Sequence, residues 1–145
     1  MQVDFYQLTR DPAEQVLPPI ARKILDNAVR LLVVSGDAAQ LEKLSVALWG
    51  WQPESFLANG RIGDGGDSLQ PILLAEKIEA INGAKMVALV DGIWRDEALG
   101  FDRAFYLFPP DKTENARAAW RALADKEGVE RRYWKQDGGK WRRGP

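Results

Sequence analysis

The 145-residue sequence contains neither cysteine nor histidine. Their absence excludes disulfides, a thiol nucleophile, any triad built on an imidazole, and zinc sites assembled from His or Cys. Any catalysis therefore falls to carboxylates, lysine, arginine, serine or tyrosine. No apolar run approaches the roughly 18 residues that span a bilayer. The opening MQVDFYQLTRDP is charged early and lacks the apolar stretch of a signal peptide. Both features point to a cytoplasmic protein.

What is present suits one globular domain over residues 1–145, with 46% hydrophobic and 28% charged side chains. Six tryptophans are many for this length, and tryptophan is enriched at recognition surfaces. The formal charge of −1 conceals an asymmetry. Residues 1–110 carry 10 Lys+Arg against 15 Asp+Glu, whereas residues 111–145 carry 10 against 6. The last fifteen residues alone carry 6 against 1. A basic end on a mildly acidic body suits an acidic partner, although a solvated helix face and tail give the same pattern.

Residues 3–8, VDFYQL, alternate as a strand. In DPAEQVLPPIARKILDNA, Asp11 and Pro12 mark a helix start, but Pro18 and Pro19 lack the N–H that a helix interior needs. The regular helix is therefore expected from there, with Pro19 in its first turn. RLLVVSGD (30–37), PILLA (71–75) and KMVALV (85–90) are uniformly apolar, as strands buried on both faces are. AAQLEKLSVALWG (38–50) places Leu41, Leu44, Ala47 and Leu48 on one helical face, with Gly50 as C-cap. NGRIGDGGDS (59–68) reads as a loop, and AFYLF (104–108) as a strand stopped by Pro109 and Pro110. TENARAAWRALADKEG (113–128) is a helix with Thr113 as N-cap, Trp120 and Leu123 inward, and Gly128 closing it. VERRYWKQDGGKWRRGP forms a hairpin through Asp137-Gly138-Gly139. This order predicts a three-layer α/β/α sandwich with a mainly parallel, Rossmann-like central sheet.

GRIGDGGD tempts a nucleotide reading but fails on context. It follows a helix and leads into a strand, whereas a dinucleotide fingerprint opens a helix and a phosphate loop ends in GK[ST]. Asp64 and Asp67 alone are weak metal ligands, and Asp91 in VDG reads as an Asp-Gly turn. No cofactor is expected. Interaction remains as the leading class, with a nucleotide-dependent enzyme on this scaffold less favoured. RRYWKQDGGKWRR interleaves rings with cations, so direct single-stranded DNA binding stays open.

Taken together, VDFYQL, LPPIARKIL, RLLVVSGD, ALWGWQPESFLANG, AKMVALVDG, FDRAFYLFP, ARAAWRAL and YWKQDGGKW resemble, in order, the chi subunit of bacterial DNA polymerase III. One departure is the turn at Ala58-Asn59, where that family often has histidine. The resemblance implies a non-enzymatic replication subunit that binds the acidic C-terminal tail of single-stranded DNA-binding protein. It also implies docking onto the clamp loader, through a psi subunit where one exists. Such a tail needs an apolar slot and cations. The resemblance assigns the slot to Trp49 and Phe56, with Phe108 placed to line it. Lys112, Arg117 and Arg121 supply the charge, the two arginines sharing one helix face.

Overall fold

The computed structural model describes residues 1–52, 54, 57–137 and 140–144. Its strands are β1 (Gln2–Gln7), β2 (Leu31–Val34), β3 (Asn59–Arg61), β4 (Ile72–Ala75), β5 (Met86–Leu89), β6 (Arg103–Phe108), β7 (Glu130–Asp137) and β8 (Lys140–Arg143). The helices are α1 (Ala13–Asp26), α2 (Ala38–Gly50) and α3 (Thr113–Ala124). One eight-stranded sheet runs in the order β3-β4-β2-β5-β6-β1-β7-β8. All its pairs are parallel except β7 with β8. The mainly parallel α/β sandwich expected from the apolar runs is therefore observed.

Every residue of β2 and β4 is buried, because helices or connecting segments cover both faces there. Alternation divides the core. Leu31 and Val33 of β2 belong to the core under α1 and α2, while Leu32 and Val34 belong to the core on the opposite face, the side that carries α3. Topology dictates this division. The crossovers through α1 and α2 run toward the β3 edge and that through α3 runs toward the β8 edge. Right-handed connections in opposite directions lie on opposite faces.

Two local expectations need correction. The first helix begins at Ala13, and Pro18 and Pro19 lie inside it. Each proline removes one intrahelical N–H bond, yet the Pro12 carbonyl anchors the first turn through the Gln15 and Val16 N–H groups at 3.0 and 3.2 Å. Ala13, Val16, Leu17 and Pro18 are buried against the sheet, so packing overrides the local penalty. Within the expected 59–68 loop, Asn59–Arg61 form the short edge strand β3 against β4. The buried Asn59 side chain accepts from the Ser45 hydroxyl at 2.7 Å and donates to the Leu57 carbonyl at 3.0 Å.

The third helix also differs at both ends. Thr113 is its first residue rather than its cap, and the Thr113 hydroxyl donates to the Pro110 carbonyl at 2.8 Å. The helix stops at Ala124, so Gly128, with φ of +78°, serves the turn into β7 instead of the helix end. The expected pairing of β7 with β8 is present, antiparallel, with Asp137 opposite Lys140.

Candidate functional site

The most chemically distinctive surface lies on the α3 face, toward the β8 edge. Residues in register on β6, β1 and β7 place Tyr106, Phe5 and Tyr133 in one row across the sheet. Phe5 stacks on Tyr106 at 5.2 Å and on Tyr133 at 6.3 Å between ring centroids. Trp94 extends the row, stacking on Tyr106 at 5.8 Å. Trp120 of α3 stands edge-on to Phe5 and Tyr133 at 5.1 and 5.7 Å, which confirms its expected inward direction. Phe108 packs edge-on against Tyr106 and Tyr133 from the β6 end.

Cations surround the open margin of this ring cluster. The Arg131 guanidinium lies 4.0 Å over the Trp120 ring and donates to the Trp120 carbonyl at 2.6 Å, fixing β7 to α3. Arg117 and Arg121 project from the exposed flank of α3 that follows Trp120 around the helix. Arg117 pairs with Glu114 at 2.9 Å, both side chains largely in water. Burial raises the Tyr133 phenol above its ordinary pKa, and the Arg117 charge opposes that rise. Alternation puts Lys135 on the same side of β7 as Arg131 and Tyr133, and pairing puts Arg142 of β8 beside Lys135. Arg131, Tyr133 and Lys135 belong to the ring-and-cation stretch RRYWKQDGGKWRR, and the period of two in ERRYWKQD puts them on one side of the strand.

The residues assigned by resemblance fall in separate places. Arg117 and Arg121 stand together at this surface. Phe108 is fully buried, so it supports the surface from beneath and lines no open slot. Lys112 follows the carboxyl end of β6, and its stem packs on Gly92. Gly92 has φ of +76°, and a Cβ there would lie 2.6 Å from the Lys112 Cγ. Trp49 lies on α2, in the opposite helix layer, and is 54% exposed. Trp49 and the two arginines thus stand on helices of opposite layers, with the sheet between those layers. Phe56 lies outside the described residues. Trp51, the other ring of that stretch, packs on the core under α2.

The carboxyl ends of β2 and β5, where connections diverge to the two faces, are where open α/β sheets hold ligands. Here the chain's own groups engage that crevice. The Gly36 N–H donates to Asp91 Oδ2 at 2.9 Å, and Arg95 donates to both Asp91 oxygens at 2.9 and 2.8 Å. Asp37 caps α2 by accepting from the Ala39 N–H at 3.0 Å, and Gln40 Nε2 donates to the Val90 carbonyl at 2.8 Å. A phosphate arriving at this helix start would meet carboxylates. Asp64 and Asp67 accept from the Arg61 and Gly63 N–H groups, which ties the Gly-rich loop to itself.

Asp91 provides a pH-dependent test of this plug. Burial pushes its carboxyl up, but the Arg95 hydrogen bond and the Gly36 and Ile93 N–H groups prevail and hold it below the ordinary carboxylate range. A lowered folded-state pKa stabilises the protein above the unfolded value, and that stability is lost as pH falls through the folded one. Asp91→Asn should cost about 1–2 kcal/mol at neutral pH. Urea unfolding should show the gap to the parent closing in acid. A gap independent of pH would mean that the charge contributes nothing.

Among the described residues no helix is long and apolar enough to cross a membrane, and no three acidic side chains are grouped so as to hold a metal ion. Comparison with curated proteins gives no significant match. Residues 1–130 match the family model described as DNA polymerase III chi subunit, HolC, an accessory subunit of the replicase. The match runs from β1 to the start of β7, through the sheet order, the α2 end and the basic α3, and the chain therefore belongs to the DNA polymerase III chi subunit family.

Proposed function

We propose that this chain is a non-catalytic cytoplasmic subunit of DNA polymerase III that bridges two partners. One is the acidic C-terminal tail of single-stranded DNA-binding protein, held on the α3–β7–β8 surface. The other is the clamp loader, met directly or through a psi subunit. The observation that carries the tail reading is the Arg131 guanidinium seated on the Trp120–Tyr133 ring pair, beside which α3 exposes Arg117 and Arg121. Carboxylates of the tail meet guanidinium forks while its apolar tip lies against rings. Trp49 takes a different role from the one implied by resemblance. It and Val46, 54% and 64% exposed, form an apolar pair one helical turn apart on the outer side of α2. That pair suits the clamp-loader side, and its place in the opposite helix layer lets both partners bind at once.

Calorimetry with an acidic peptide ending in an aromatic residue tests the assignment. Trp49→Ala should leave peptide affinity unchanged and weaken retention on the clamp-loader assembly by roughly ten-fold or more. Loss of peptide affinity in a folded Trp49→Ala protein would return the tail to the α2 side. Glu114 competes for Arg117, so Glu114→Ala should tighten peptide binding by about two- to five-fold at low salt, a gain that salt screens away. No gain would remove Arg117 from the contact.

A further inference from the structure

The face carrying α1 and α2 has a second surface that the tail reading does not use. Both helices lie toward the β3 edge, and among the described residues no helix covers β1 and β7 on this side. The result is a groove of about 580 Å³ between α1 and the hairpin. Phe105, Tyr6 and Trp134 form its floor, and Trp141 closes the far wall. Trp141 stands edge-on to Tyr6 at 5.0 Å, and Trp134 lies nearly parallel to Tyr6 at 6.4 Å. Lys23 of α1 lines the near wall, and Arg103 sits over the Phe105 ring at 4.7 Å. Alternation along β8 places Arg143 on the same side as Trp141, directly opposite Trp134.

The charges at the groove favour an anionic occupant. Asp4 is fully buried beneath it and already accepts from Arg103 Nε at 2.6 Å and from Trp134 Nε1 at 3.2 Å. Asp11 at its rim accepts from Gln136 at 3.1 Å. Lys23 and Arg143 form no ion pair among the described residues. An open sheet face whose adjacent strands offer rings, flanked by uncommitted cations, is the platform on which single strands stack bases and anchor phosphates. An acidic peptide shares the charge but lacks flat groups for the three partly exposed rings, Tyr6, Trp134 and Trp141, Phe105 being buried under Arg103. We infer that this groove binds single-stranded DNA, independently of the tail surface on the other face.

Fluorescence anisotropy with a labelled oligothymidine of about twelve nucleotides tests this. Binding should weaken with salt at a log–log slope of about −1.5 to −2, as two or three phosphate contacts require. Trp141→Ala should weaken it about ten-fold, with Trp141→Phe restoring most of the loss. Lys23→Glu, an exposed change outside the core, should weaken it about five-fold and flatten the salt slope by roughly one contact. If Trp141→Ala lowers the urea midpoint, Lys23→Glu alone decides. The tail-surface variant Arg117→Glu/Arg121→Glu should bind the oligonucleotide as the parent does. Absence of binding at low salt overturns the inference, as does binding sensitive to the α3 arginines but not to Lys23 and Trp141. Displacement of the oligonucleotide by the acidic peptide, with Trp141→Ala weakening the peptide as well, would make the groove a peptide site and overturn it too.

Discussion

Exchanging Arg117 and Arg121 together for glutamate is expected to weaken binding of the acidic tail by roughly a hundred-fold or more. Each guanidinium on the exposed flank of α3 gives a charge-assisted contact of about 1 kcal/mol in this wet setting, so single alanine variants should lose only a few-fold. Reversing both charges adds repulsion where attraction was and also deprives Glu114 of its partner. Arg131 should then fail to compensate, because its guanidinium is committed to the Trp120 ring and carbonyl. Fold integrity is not at stake, since both side chains are exposed. Calorimetry beside a urea midpoint gives the result in one pair of measurements. A double variant that keeps the parent's affinity and midpoint would show that the tail docks elsewhere.

The second large effect concerns stability. Phe5→Ala should cost about 3–5 kcal/mol, because the fully buried ring is the centre of the row. Tyr106, Tyr133 and Trp120 all contact it, so truncation leaves a cavity bounded by rings held on two strands and a helix. The melting temperature should fall by roughly 10 °C or more. Phe5→Leu, which keeps much of the volume, should lose about 1–2 kcal/mol. A loss below about 1 kcal/mol for the alanine variant would mean that Trp120 collapses into the space. Because Trp120 and Tyr133 frame the surface proposed for the tail, folded Phe5→Leu should also bind the tail about three-fold more weakly.

Much of the architecture was legible because burial on both faces leaves a plain signature. RLLVV, PILLA and KMVALV contain no polar interruption, and each is a central strand. Asn59–Arg61 carry no such signature, since an edge strand of three residues with a glycine at its centre has little to bury. The α1 start was misread because Pro18 and Pro19 report local preference, whereas the sheet beneath them decides. The candidate site was legible in part. The pairing of Arg117 with Arg121 follows from helical spacing, and Trp120 from the inward face. Separating Trp49 from those arginines required the strand order, because the face that a crossover occupies depends on the direction in which it runs. Spacing along the chain holds no record of that direction.

The position of β1 has a consequence for how the chain reaches this structure. Gln2 pairs with Arg103 on one side and with Glu130 on the other, so the first strand made is flanked only by strands made late. At about 5–20 residues per second of synthesis, β1 emerges seconds before either neighbour exists. The β4-β2-β5 core, drawn from residues 31–89, can close while β1 is still an unpaired strand. Insertion between β6 and β7 must bridge the largest sequence separations in the molecule, and such long loop closures slow folding. During that interval the alternating ring-bearing VDFYQL is an open edge. A ribosome paused between β6 and β7 would therefore hold the state most exposed to mispairing with another chain.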